Sequence, residues 1–233
     1  MFAASDRSVT FVEHLEELRR RILWSLVVWV VATGVAFSFV PAWIPLLVRP
    51  VGQVVFIAPA EAFTAQLKLA LCAGVLAAVP YWLWQVWAFV APALSAEHRR
   101  VIGRQLPLAV ALFYVGAGFA VAVALPSALR FLLSFGSEQV RPMITFGHYV
   151  SFVTIWTLLF GVMFELPMAL LVLGQLGVVT AAGLSRYRRH AVLVIFIVAA
   201  ILTPPDVMSQ FLMAIPLLVL FEFSVLLLRL NRR

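Results

Sequence analysis

Long apolar runs alternate with short polar clusters along the whole chain. A bilayer core of about 30 Å takes about 20 apolar residues as helix. Six stretches meet or approach that length: about 22–40, 63–90, 106–130, 149–174, 191–203 and 207–228. Pro41 and Pro45 are expected to stop the first, since proline has no amide hydrogen and crowds the carbonyl four residues back. Before it, Phe11, Leu15, Leu18 and Ile22 recur at helical spacing. They predict an amphipathic helix over about 10–21 that lies at the membrane interface and runs into the first span. The second run carries Lys68 near its start, and its Trp82, Trp84 and Trp87 cluster at its end as an interfacial aromatic belt would. The third continues toward Pro126, and the fourth is broken only by Glu165 and Pro167.

The last two runs are unusual. About 12 residues of helix span only about 18 Å, too little for an ordinary bilayer. Thr203-Pro204-Pro205-Asp206 then joins the fifth run to the sixth as a stiff turn, with Asp206 placed to N-cap the sixth helix. Two readings stand: the pair leaves the membrane locally thin, or the fifth helix starts earlier, within 185–190, and its arginines snorkel.

Composition fixes the solvent. Of 233 residues, 64% are hydrophobic and 12% charged, with a mean hydropathy of +1.06. A soluble globule of this size has too little interior to hide so much apolar surface, and a disordered chain has far less of it. The single cysteine, Cys72, excludes an internal disulfide and any CxxC metal site. The net charge of +7 suggests nucleic acid until its location is read. Thirteen of the seventeen basic residues fall in the N-terminal segment, the second and fourth loops and the tail. Basic residues favour the cytoplasmic side, so both termini are expected there. The polar start and the 19-residue run after it are too long for a cleaved signal, so the first helix is expected to be retained. The four histidines lack ligand spacing, and no P-loop or nucleophile elbow occurs. Neither an enzyme nor a metal or cofactor site is expected.

The polar residues left over are few. Glu13 completes a capping box with Thr10. Glu16 stands four residues before Arg20, and Glu17 four before Arg21, the spacing of helical ion pairs worth about 0.2–0.5 kcal/mol each; the other role open to these acids is to hold a basic ligand. Glu97 lies where a helix N-terminus favours an acid. Glu165 lies in mid-membrane, where ionisable groups mark a functional cavity; the bland reading is a protonated acid bonded to a carbonyl that Pro167 frees. Gln210 and Thr203 are its possible partners. Glu222 is expected to be solvated or paired with Arg229. Gly116 with Gly118, or Gly174 with Gly177, suit close helix packing. An ion-coupled transporter or proton channel using Glu165 is the alternative, but the internal repeat of such transporters is missing.

Several segments resemble the TatC family, the multispanning subunit of the twin-arginine protein translocase. His14-Leu15-Glu16-Glu17-Leu18-Arg19-Arg20-Arg21 is similar to its N-terminal signature. Gln85 to Leu94, Phe164-Glu165-Leu166-Pro167, Leu202 to Val207 with Ser209-Gln210, and Ile215-Pro216 through Phe221-Glu222 resemble its later motifs, in the same order. The resemblance implies an all-α, six-span cupped bundle in the bacterial inner membrane, with Glu165 toward the concave side. It implies a receptor for signal peptides bearing an Arg-Arg pair, which exports folded proteins on the proton gradient without a nucleotide. It implies single-span partners of the TatA and TatB type, self-association in a larger receptor complex, and no nucleic acid. Glu17, Arg19, Phe89 and the Glu97-His98 pair take the signal-peptide positions. The family's second acid stands directly before the basic pair, where this chain has His98, with Glu97 one place earlier. Glu165 and Gln210 match an intramembrane polar site, and Pro204, Pro205 and Asp206 a structural turn.

Overall fold

The computed structural model describes residues 11–137, 142–203 and 206–230. They form helices joined by short turns, with one isolated parallel bridge between Val55 and Thr145. Helix α1 spans Phe11–Val48, α2 Pro59–Val90 and α3 Ala96–Phe119. A π segment, Ala120–Ala124, leads into α4, Leu125–Leu133. Helices α5 (Phe146–Phe164) and α6 (Leu166–Gln175) follow, then α7 (Ala181–Arg186), α8 (Arg188–Leu202) and α9 (Val207–Leu230). Among the described residues, five continuous helical stretches are long and apolar enough to cross a membrane: Val12–Val48, Pro59–Val90, Ala96–Leu133, Phe146–Gln175 and Val207–Leu230. Helix α8, with 15 residues, covers only about 22 Å.

The amphipathic segment and the first span are one helix. It runs straight through Pro41 and Pro45 to Val48, past the stop expected at those prolines. Each proline removes one backbone bond, but packing holds the helix there: Val40 is fully buried. At its end the Tyr149 hydroxyl of α5 donates to the Leu47 carbonyl at 2.6 Å, satisfying one of the carbonyls a helix terminus leaves open. Only 6% of the apolar window of α1 is buried, against 33–39% in the other four, so α1 lies at the edge of the bundle along α2.

Tryptophans join these two helices. Trp82 Nε1 donates to the Ser25 carbonyl and Trp29 Nε1 to that of Leu71. Of the three tryptophans read as an interfacial belt, only Trp84 is exposed. Trp87 turns inward, where a Cβ at Gly103 of α3 would meet its ring.

The core forms where α5 crosses α3 and α9. Trp156 and Phe160 are buried among Ala120, Ala124, Met213, Leu217 and Phe221. At the α3–α5 crossing a Cβ on Gly116 would strike the Phe160 carbonyl and the Phe164 ring, and one on Gly161 would strike Phe113. Of the glycines singled out from sequence, Gly116 and Gly174 pack against neighbours, while Gly118 has open space. Gly177 adopts φ +73° and ends α6 as a left-handed cap, with Val178 N–H donating to the Leu173 carbonyl.

Two prolines coincide with helix breaks. Pro126 cannot donate and crowds the carbonyl of Ala122, and the π segment widens the helix just before it. Pro167 does the same to the fourth span, which breaks at Glu165 between α5 and α6. Helix α8 begins at Arg188, one residue past α7, which matches the earlier start considered for the fifth run. Glu222 pairs with Arg188 at 2.8 Å, not with Arg229, whose guanidinium donates to Ser185 Oγ.

Candidate functional site

The end of the bundle that carries the start of α1 gathers the first group. His14 stacks on Phe89 of α2, with ring centroids 4.3 Å apart and planes 17° from parallel. One turn further on, Glu17 accepts from Arg21 Nε at 3.0 Å and from Arg21 Nη2 at 2.5 Å. Arg21 Nη1 donates to Gln85 Oε1 at 2.7 Å, and Gln85 Nε2 donates to the Tyr81 hydroxyl at 2.5 Å. The i,i+4 pair is therefore made, and it is extended by a long-range amide that spacing did not point to. The Arg21 and Glu17 side chains keep 19% and 23% exposure, so the carboxylate stays partly open to a ligand. Arg19 and Arg20 point outward, and Glu16 is exposed with no ion pair to Arg20. Thr10, the proposed cap, lies outside the described residues.

The second group opens α3. Ser95 is the N-cap: its Oγ accepts from His98 N–H and sits 2.8 Å from His98 Nδ1. Glu97, in the first turn, is exposed. The helix it starts continues directly into the third span, ten residues before the start expected at about 106. Glu97 and His98 line a cavity of about 430 Å³ against the turn after α6, with Gln175, Thr180 and Leu228. Both polar atoms of the Gln175 amide are buried without a partner. His98 is thus half engaged by its cap, while Glu97 is the free carboxylate.

The third group is intramembrane. Glu165 lines an apolar cavity of about 430 Å³ between α2, α3 and α6, with Trp87, Gln105, Ile102 and Met168. Glu165 Oε1, Gln105 Oε1 and Trp87 Nε1 are all buried without a hydrogen-bond partner. The Glu165 carboxyl does not bond a carbonyl freed by Pro167. Two acceptors and one donor facing one space match what a bridging water or an incoming polar group needs. Gln105, the lone amide of the third span, and Trp87 were not assigned to this site from sequence: Gln105 directly follows Arg104 in a charged cluster and Trp87 reads as part of an aromatic belt, so neither signals this cavity.

Gln210 has different surroundings. Its Nε2 donates to the Phe196 carbonyl of α8, and it does not line the Glu165 cavity. Thr203 is also accounted for locally, donating to the Ala199 carbonyl at 2.8 Å. The structure does not bring these two to Glu165. Asp206 caps α9 as its sequence position suggested, with Oδ1 accepting from Ser209 N–H at 2.6 Å. Pro204 and Pro205 lie outside the described residues. Among those described, no cluster of three metal-ligating side chains occurs.

A third, somewhat larger cavity of about 470 Å³ lies toward the opposite end, lined by Trp43, Leu69, Cys72, Leu125, Tyr149 and Val153 among others. It is almost wholly apolar in its lining.

The family model described as Sec-independent protein translocase protein (TatC) matches residues 13–216. The chain is 42% identical over 225 residues to the Sec-independent protein translocase protein TatC of Carboxydothermus hydrogenoformans, covering 94% of this chain and 93% of that one. It is 36% identical over 229 residues to the TatC protein of Aquifex aeolicus, covering 95% of each. Its fold matches a crystal structure of the twin-arginine translocase receptor TatC with a TM-score of 0.84 and 36% identity, over 95% of this chain and all of that one.

Proposed function

The chain belongs to the TatC family, and we propose that it grips the paired arginines of an export signal through Glu17 and Glu97. It is the membrane-embedded receptor subunit of a twin-arginine translocase, not an enzyme, and it resides in the bacterial inner membrane. It works with other subunits of that translocase; single-span proteins of the TatA and TatB type and further copies of this chain are the proposed ones.

The observation that carries the reading is the placement of two accessible carboxylates at one end of the bundle. Glu17 is partly open beside the His14–Phe89 stack, and Glu97 is exposed at the mouth of a cavity. Guanidinium groups pair with carboxylates bidentately, which a lysine ammonium cannot reproduce. This end is assigned to the cytoplasm by its arginines. Glu97 makes the second contact, since the His98 ring is tied to Ser95. Glu165, with Gln105 and Trp87, offers a polar station in the hydrocarbon for a later step of transport on the proton gradient.

The test is capture of a twin-arginine signal peptide by the purified full-length chain. Neutralising Glu17 and Glu97 together abolishes capture under this reading. Undiminished capture by that double variant overturns it.

A further inference from the structure

The far end of the bundle holds a charged cluster that the receptor role leaves unused. Glu61 opens α2, and Lys68 stands two turns deeper on the same helix. Both line a shallow cavity of about 400 Å³ with Thr64, Gly147, His148 and Ser151. The Glu61 carboxylate is fixed: Oε2 accepts from Ile57 N–H and Oε1 from Gly147 N–H, both at 2.8 Å. These bonds tie the loop after α1 to the start of α5. The backbone bridge beside them does the same, with Val55 N–H donating to the Ile144 carbonyl and Phe146 N–H to that of Val55. The walls of the cavity are therefore held in place before any ligand arrives.

Lys68 is the less satisfied partner. Its ammonium donates to Ser151 Oγ at 2.8 Å, and Ser151 passes its own hydrogen to the Gly147 carbonyl. No carboxylate of the described residues pairs with Lys68, so two of its three N–H groups have no partner among the described residues. Its neighbours Phe63 and Leu67 on α2, and Ile155 on α5, are exposed apolar side chains of lipid-facing helices. An ammonium bordered by lipid-facing apolar surface is costly unless an anion meets it or it reaches the headgroup level.

We propose that this cavity seats the headgroup of a zwitterionic aminophospholipid, its phosphate on Lys68 and its ammonium on Glu61. The spacing fits. Seven residues of helix set the backbone positions of Glu61 and Lys68 about 10 Å apart along the axis. That length accommodates a phosphate-to-ammonium headgroup with a hydrogen bond of about 2.9 Å at each end. The order fits as well. A lipid carries its phosphate nearer the hydrocarbon and its amine nearer the water, and Lys68 lies deeper along α2 than Glu61. A purely anionic headgroup would satisfy Lys68 and face the fixed carboxylate of Glu61. The site is independent of the signal-binding end.

Native mass spectrometry of the full-length chain in detergent tests this, with phosphatidylethanolamine, phosphatidylglycerol or inorganic phosphate added back. The wild type retains phosphatidylethanolamine about tenfold over phosphatidylglycerol, and Lys68→Gln loses that retention. Glu61→Gln reverses the preference toward phosphatidylglycerol. Lys68 is exposed, so its variant folds and remains informative even if Glu61→Gln loosens the loops. Unchanged phosphatidylethanolamine retention by Lys68→Gln overturns the proposal. Displacement of the lipid by millimolar inorganic phosphate also overturns it, by identifying a free anion as the ligand.

Discussion

The carboxylate of Glu17 already holds the guanidinium of Arg21, one helical turn along α1. On the proposed reading, an arginine arriving on a signal peptide would enter a site whose geometry is preset by an internal copy of the same group. The incoming guanidinium either shares Glu17 with Arg21 or displaces it onto Gln85, which already accepts from it.

Loss of this carboxylate is expected to weaken capture. Hydrogen bonds to charged groups contribute about 1.5–3 kcal/mol, so Glu17→Ala lowers affinity for a twin-arginine peptide by about 10- to 100-fold. Titration in detergent measures it, with a Lys-Lys peptide as the control. Equal binding of both peptides by the wild type would remove the bidentate argument.

At the start of α3 the two neighbours separate by role. Glu97→Gln reduces crosslinking of the signal peptide from this loop. His98→Gln leaves it within about twofold, because the His98 ring is engaged by Ser95. A large loss on His98→Gln with none on Glu97→Gln would reverse the assignment. Gln175→Leu, which removes two orphaned polar atoms from the cavity wall, is expected to raise the melting temperature while weakening capture.

In the membrane interior, Glu165→Gln preserves shape and removes the ionisable group. Insertion and folding are expected to survive, while transport in vesicles energised by a proton gradient falls at least tenfold. Gln105→Leu removes one of the three polar groups at this cavity and is expected to impair transport less than Glu165→Gln. If Glu165→Gln instead blocks membrane insertion, the acid is structural.

The cap of α9 is a stability element. Asp206→Ala removes the bond to Ser209 N–H and costs about 1 kcal/mol, seen as a melting temperature lower by a few degrees. Asp206→Asn retains an acceptor and is expected to restore most of the loss. Equal melting of all three proteins would show that the turn is held by other means.

Much of this was readable one residue at a time. The order of the apolar runs, the charge bias and the Asp206 cap depend on local spacing, which sequence carries directly. What local spacing hid was tertiary. Pro41 and Pro45 ought to end a helix, yet packing around Val40 and the Tyr149 hydroxyl on Leu47 carry it past both. Gln210 was grouped with Glu165, but helix crossing gives Gln210 to Phe196 and leaves Glu165 facing Gln105 and Trp87. Glu61 meets Gly147 across 86 residues, a contact that no periodicity encodes.

The crossing of Gly116 and Gly161 has one more consequence. There the backbones of α3 and α5 come close enough that side-chain rings fill the remaining space. The cavity around Glu165 and the apolar one around Tyr149 share no lining residue. On the proposed reading, cargo would travel along a wall built by several subunits, with this protein supplying a flank of that wall.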